Sequence, residues 1–234
     1  MPKSSDETGN PEPLLGVIGG MGPEATVQFL DKVIAATPAE RDQDHVETIA
    51  YNDPNIPDRN DGILRDGQSP LPRLRQNATR LEEFGADVLA IPCNTAHYYY
   101  DDIANEVDAH VVNMIAEVRK RLEQSNVNKA GLLATSTVMD VGVYRDEFKS
   151  SPIELIHPQR IDHLMDAIYA IKRGNKKQGR EKVNQLITEF TNVDAVITGC
   201  TELSVVCIRS DAQIVDPTTI LAESCVKATH DSFE

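Results

Sequence analysis

The chain has 234 residues, 40% of them hydrophobic, with 37 acidic against 23 basic side chains and a formal charge of −14 at pH 7. That length holds one large α/β domain or two small ones with real cores, and the acidity repels nucleic-acid phosphates and anionic membrane surfaces, which excludes both as main partners. No apolar run approaches the roughly 20 residues of a membrane span, and the opening MPKSSDETGNPEP lacks both the apolar stretch of a secretion signal and the Arg-rich bias of a transit peptide. Residues 1–13 are therefore expected to be a disordered tail, and the protein to be cytoplasmic.

In chain order, strands are predicted at 14–18, 46–51, 87–92 and 110–113, with helices at 23–36, 71–84, 96–106 and 114–124. The rhythm then repeats, with strands at 129–134, 153–156 and 194–199 and helices at 140–149, 159–173 and 179–191. Such alternation builds parallel sheets wrapped by helices, an α/β fold whose ligands collect at the strands' carboxyl ends. The segment 51–62, YNDPNIPDRNDG, carries Pro54, Pro57 and Gly62 and is read as a long irregular loop. The closing 213–228 reads as strand, turn and helix, returning to the first domain. The expected organisation is thus a first α/β domain of 14–113 plus 213–234 and a second of 114–212.

Two segments repeat one context: DVLAIPCNTAH (87–97) and DAVITGCTELS (194–204). In each, an Asp opens an apolar run that reads as a buried parallel strand, and the run leads to a cysteine, Cys93 or Cys200. GVIGGMG (16–22) and GLLATST (131–137) form a second matched pair, at a similar offset. These pairs predict a duplicated α/β unit, with two similar domains related by a pseudo-two-fold axis and a cleft between them where the thiols meet. A helix starting at each cysteine would stabilise its thiolate. Two thiols flanking one small molecule are suited to moving a proton from one face of a carbon to the other.

Other readings compete. The four cysteines, 93, 200, 207 and 225, include no C-x-x-C, so neither a disulfide framework nor a zinc ribbon is indicated. Cys207 and Cys225 fall in helical apolar patterns and are expected to be buried packing thiols. GVIGGMG lacks the G-x-G-x-x-G spacing of a dinucleotide fingerprint. Cys93 with His97 is half of a metal site or a hydrolase dyad, with no second ligand pair of compact spacing. Arg59 and Lys172, taken alone, read as solvated surface. No metal and no cofactor is expected.

Together, GVIGGMGPEAT (16–26), YNDPNIPDR (51–59), PCNTAH (92–97), IYAIKRGN (168–175) and GCTEL (199–203) resemble the motifs of the aspartate/glutamate racemase family, on its cofactor-independent aspartate racemase branch. The resemblance runs from about Leu14 to the last helix. It implies two similar domains with the active site between them, commonly in a homodimer, and no pyridoxal phosphate. It implies that Cys93 and Cys200 are the two acid/base groups, that Asn94, Thr95 and Thr201 hold the α-carboxylate and amino group, and that Met21 and Asn52 line the pocket. Arg59 and Lys172 match cations for the distal carboxylate of a small acidic amino acid, and Glu202 matches an acidic residue supporting Cys200. A two-cysteine isomerase of the maleate isomerase type and a catalytically silent binding protein are the alternatives. The chain departs from the pattern at Thr137, Val138 and Val141, where many relatives carry Gly, a hydroxyl residue and Ser.

Overall fold

The computed structural model describes residues 13–206 and 208–231; the rest of the N-terminal stretch and Cys207 lie outside the described residues. The elements run β1 (Leu14–Gly19), α1 (Pro23–Ala36), β2 (Thr48–Asn52), α2 (Arg59–Leu64), α3 (Leu71–Glu83), β3 (Ala86–Ala90), α4 (Tyr100–Ala104), β4 (His110–Val111) and α5 (Met114–Gln124). They continue with β5 (Lys129–Leu132), α6 (Ser136–Val141), α7 (Val143–Phe148), β6 (Glu154–Ile156), α8 (Ile161–Lys172), α9 (Lys176–Ile187), β7 (Ala195–Ile197), β8 (Gln213–Val215) and α10 (Pro217–Asp231). Two compact units result: one takes the chain up to Pro92, Tyr99–Asn113 and Leu221 onward; the other takes Cys93–Tyr98 and Met114–Ile220.

Each unit is built on a four-stranded sheet, ordered β2-β1-β3-β4 in the first and β6-β5-β7-β8 in the second, and every pairing is parallel. The duplication read from the sequence is therefore a duplication of topology. Gly16 of β1 pairs with Leu89 of β3, and Gly131 of β5 pairs with Val196 of β7. Central strands such as β1, with all six residues buried, are the apolar runs that a sheet covered on both faces requires. The helices bury one stripe each: Leu74, Asn77, Ala78 and Leu81 on α3 follow the i, i+3, i+4, i+7 spacing.

The aspartate that opens each repeated segment has a physical task. Asp87 Oδ2 accepts the Leu14 N–H at 2.8 Å, where β1 begins. Asp194 Oδ2 accepts the N–H groups of Asn128 and Lys129 at 2.8 and 2.9 Å, where β5 begins. Each carboxylate satisfies backbone donors that no neighbouring strand reaches.

Four expectations need correction. Residues 51–62 are not wholly irregular, because Asp58 caps α2 by accepting from Asn60 N and Asp61 N at 2.8 and 3.1 Å, and this local cap outweighs the nearby prolines. The helix expected at 140–149 is two helices, α6 and α7, divided at Gly142, whose φ of 75° is left-handed. The helix expected at 96–106 is a 3-10 turn, Thr95–Tyr99, followed by the short α4. The strand at 213 does not return to the first unit: β8 pairs with β7, and the crossing into the first unit falls within α10, at Leu221.

In the first unit, the loops after β1 and β2 are locked together. Gly20 has φ +97°, and a Cβ there would lie 2.1 Å from the Asp53 carbonyl oxygen, so only glycine fits. Asp53 is buried, and its carboxylate accepts from Arg73 Nε and Nη2 at 2.6 and 3.2 Å, from Asn77 Nδ2 at 3.0 Å and from Asn55 N at 3.1 Å. The Arg73 hydrogen bond, ahead of that from Asn77 and against the opposing effect of burial, holds the Asp53 carboxyl well below the usual carboxylate range. A depressed native value stabilises the fold above the ordinary carboxylate pKa, and that contribution is lost as pH falls toward the native one. Arg73 keeps one side in water, which weakens the pair relative to a fully buried one. Asp53→Ala is expected to cost about 2–3 kcal/mol in chemical denaturation at pH 7, and the difference from native protein should shrink near pH 3. An undiminished difference at pH 3 would show that the charge is not what matters.

Candidate functional site

The two cysteines occupy equivalent places. β3 and β7 are each third in their sheet's order, and each ends three residues before a cysteine, Ala90 before Cys93 and Ile197 before Cys200. Both thiols are free and 5% exposed, and both belong to the second unit, because Cys93–Tyr98 groups with it. Short 3-10 turns, Thr95–Tyr99 and Thr201–Val205, follow them. The helix dipole invoked from the sequence to favour thiolate at both positions thus has no α-helix to supply it.

Around Cys200 the electrostatics run opposite to that expectation. The thiol packs within a core that includes Leu133, Leu164, Ile168 and Leu203, and its Sγ donates to Glu202 Oε2 at 2.9 Å. Glu202 Oε1 in turn lies 3.2 Å from Lys172 Nζ, at the end of α8, with side-chain exposures of 14% and 29%. Thr201 also donates to Glu202 Oε2, at 3.4 Å. Burial first, and then the charge and hydrogen bond of Glu202, push the Cys200 thiol well above its ordinary value, with Lys172 pulling the other way. Cys200 is therefore a protonated thiol, chemically an acid, at neutral pH.

On the Cys93 side, Asn94 and Thr95 are buried, and Asn94 Oδ1 accepts from the Tyr144 hydroxyl at 2.6 Å. Burial first, and then the negative charges of Asp216 and of Cys200 when ionised, raise the Tyr144 phenol well above its usual pKa. His97 is buried, with Nδ1 2.9 Å from the Cys93 carbonyl oxygen, while Nε2 accepts the Met114 N–H at 3.1 Å. An acceptor Nε2 fixes the neutral tautomer whose Nδ1–H donates to Cys93. Both ring nitrogens are thus occupied by backbone, so His97 pins the Cys93 turn and is neither the ligand nor the base that the Cys93–His97 spacing suggested. Among the described residues no three His, Cys, Asp or Glu side chains converge as a metal site would need.

Three of the expected site residues lie in the first unit. Met21 is buried in the turn after β1, and Asn52 is exposed at the last position of β2. Arg59 opens α2, and its Nη1 donates to the carbonyl oxygens of Ile56 and Pro57 at 3.3 and 3.0 Å. Among the described residues Arg59 has no acidic partner, notable in so acidic a chain. The structure gathers Cys200, Thr201, Glu202 and Lys172 into one cluster and joins Asn94 to Tyr144. Of the departures noted at 137, 138 and 141, Thr137 and Val138 are buried in α6, which Thr135 caps by accepting the Val138 N–H at 3.3 Å. The sequence reading missed Tyr144, Asp53 and the clamp made by His97. No spacing rule singles them out, because their partners lie 50, 20 and 17 residues away.

Comparison with known proteins places this geometry. The Asp/Glu/hydantoin racemase family profile matches residues 18–225. Over 93% of this chain and 94% of the other, the structure is similar to the Picrophilus torridus aspartate racemase, with 33% identity and a TM-score of 0.86. The broad-specificity amino-acid racemase RacX of Bacillus subtilis is 31% identical over 91% of this chain and 96% of its own length. A glutamate racemase from Francisella tularensis shares the fold at 18% identity, covering 95% of this chain and 82% of its own, with a TM-score of 0.66. The chain belongs to the Asp/Glu/hydantoin racemase family. No helix among the described residues is long and apolar enough to cross a membrane.

The Glu202 contact is open to direct test. Removing its charge lifts the penalty on thiolate, so Glu202→Gln is expected to lower the Cys200 pKa and make that thiol react with iodoacetamide at lower pH than in the native protein. Peptide mapping of the alkylated cysteine over pH 6–10 reads this. An unchanged or higher pH of reaction would mean that Glu202 does not control the thiol.

Proposed function

We propose that the protein is a cofactor-independent amino-acid racemase acting on aspartate, and next on glutamate, by two-base proton transfer between Cys93 and Cys200. The observation that carries this reading is the buried thiol of Cys200 held protonated against Glu202, in a chain whose equivalent strand end bears a second buried thiol. In one direction the Cys93 thiolate takes the α-proton and becomes a thiol. The electron pair left on the α-carbon spreads into the α-carboxylate, and the Cys200 thiol gives its proton to the opposite face and becomes a thiolate. The reverse direction starts from that state, so atoms and charge balance without a further reagent.

In this reading Asn94, Thr95 and Thr201 receive the α-carboxylate and amino group, with Met21 and Asn52 lining the pocket. Donors fixed in place before the charge builds lower the barrier more than donors that must reorient. Arg59 and Lys172 receive the distal carboxylate, and a guanidinium without an acidic partner among the described residues supports that role. Lys172 also offsets the charge of Glu202 when Cys200 becomes a thiolate beside it. The family resemblance supports a homodimer in the cytosol and no pyridoxal phosphate.

Racemisation of aspartate, glutamate and alanine, followed by chiral chromatography, tests the assignment. Cys93→Ala and Cys200→Ala are each expected to lose at least about 10²–10⁴-fold in aspartate turnover while keeping their circular dichroism, since each removes the acid/base on one face. Near-native turnover by either variant would end the two-base assignment. Arg59→Ala is expected to lose about 2–3 kcal/mol, roughly 30- to 150-fold in kcat/KM, for aspartate, and to leave alanine turnover almost unchanged. An equal loss for both substrates would remove Arg59 from the distal subsite.

A further inference from the structure

One donor in the second unit is conspicuous. Asn94 Nδ2 is buried and has no hydrogen-bond partner among the described residues, although the same amide's Oδ1 is held by Tyr144 at 2.6 Å. An orphaned buried N–H costs about as much as a lost hydrogen bond, so its persistence in the residue next to Cys93 calls for a partner that arrives from outside the chain. Tyr144 is suited to set the direction of that donor. Its side chain is 1% exposed, and its ring centroid lies 6.0 Å from that of Phe148, so the phenol sits in a fixed place. A phenol has one proton to give, and giving it to Oδ1 turns the Nδ2 end of the amide away from the ring.

We infer that Tyr144 is a positioning residue that locks the Asn94 amide with its Nδ2–H donor aimed at a carboxylate oxygen of the bound amino acid. This rests on the racemase reading given above and extends it to a residue that does not touch substrate. The negative charge that gathers on the α-carboxylate during proton transfer strengthens a hydrogen bond from Nδ2 in the transition state more than in the ground state, so the lock acts on kcat more than on KM. Tyr144 holds its proton through the working pH range for the reasons of burial and charge already described, so the lock stays closed.

The test is a double-substitution cycle with Tyr144→Phe and Asn94→Ala, because phenylalanine fills the same space and removes only the hydroxyl. Tyr144→Phe is expected to lower kcat for aspartate about 10-fold or more with less than a threefold change in KM, and to retain native circular dichroism. If Tyr144 acts only through Asn94, the double variant is no slower than Asn94→Ala alone. Effects that multiply, or a Tyr144→Phe variant within twofold of native, would overturn the inference. ¹H–¹⁵N spectra give a readout independent of turnover. The Asn94 side-chain pair, identified by its loss in Asn94→Ala, should show two distinct, protected protons in native protein and averaged, fast-exchanging ones in Tyr144→Phe. Identical amide signals in the two proteins would also overturn the lock. Should Tyr144→Phe fail to fold, the native Asn94 pair is still expected to shift on addition of L-aspartate, and an unmoved pair in protein that binds it would contradict the inference. Native protein that racemises no amino acid would defeat the racemase reading alone and leave the amide comparison to judge Tyr144.

Discussion

A thiol proton lying against a carboxylate, with both groups largely out of bulk water, constrains everything near Cys200. Two ionised groups 2.9 Å apart would repel strongly, so the pair holds one negative charge and one proton at neutral pH. Burial and the Glu202 carboxylate keep the proton on sulfur, while Lys172, on the far oxygen of Glu202, pulls the other way and partly offsets that carboxylate's charge. The rest of the second unit keeps the arrangement in place: β7 delivers Cys200 into the core, the 3-10 turn from Thr201 brings Glu202 back beside it, and α8 ends at Lys172. Each fully buried Leu or Ile of that core contributes about 1.5–3 kcal/mol, enough together to hold a polar cluster that burial alone would disfavour.

The two thiols share their backbone setting and differ in their surroundings. Asp87 and Asp194 tie the starts of the cysteine strands to β1 and β5, so each strand's register, and with it the position of the cysteine, is fixed from the opposite end of the sheet. Beyond that the copies diverge. Cys200 has an acidic neighbour two residues on, while the Cys93 turn is pinned by a neutral His97 and flanked by an amide held by Tyr144. The two equivalent strand ends thus carry thiols in chemically unequal surroundings, which is the asymmetry that the proposed two-base exchange draws on.

Much of this was legible in the sequence, because sheet architecture is written in local pattern. Apolar runs opened by Asp and closed by Cys mark β3 and β7, and the Gly16 and Gly131 contexts mark β1 and β5, so the doubled α/β plan and the placement of both thiols at strand ends follow from periodicity. What failed was decided by single side chains acting over a few residues. Asp58 converts the end of a proline-rich stretch into α2, and Gly142 divides one expected helix into two. The lowered thiol pKa expected at Cys200 failed because it rested on a helix dipole, whereas a carboxylate in contact and burial act more strongly than a terminus that is only a 3-10 turn. Long-range partners such as Tyr144 with Asn94 and Arg73 with Asp53 leave no trace in spacing, since only the folded chain brings them together.

The central claim is that two monoprotic thiols, one on each face, exchange the α-proton. Initial-rate turnover of L-aspartate in D₂O, with deuterium content measured separately in recovered substrate and in product, tests it most directly. The account predicts deuterium at the α-carbon of the D-aspartate formed and almost none in the L-aspartate recovered. Deuterium appearing at comparable rates in both enantiomers would mean that a single base serves both faces, and would contradict it.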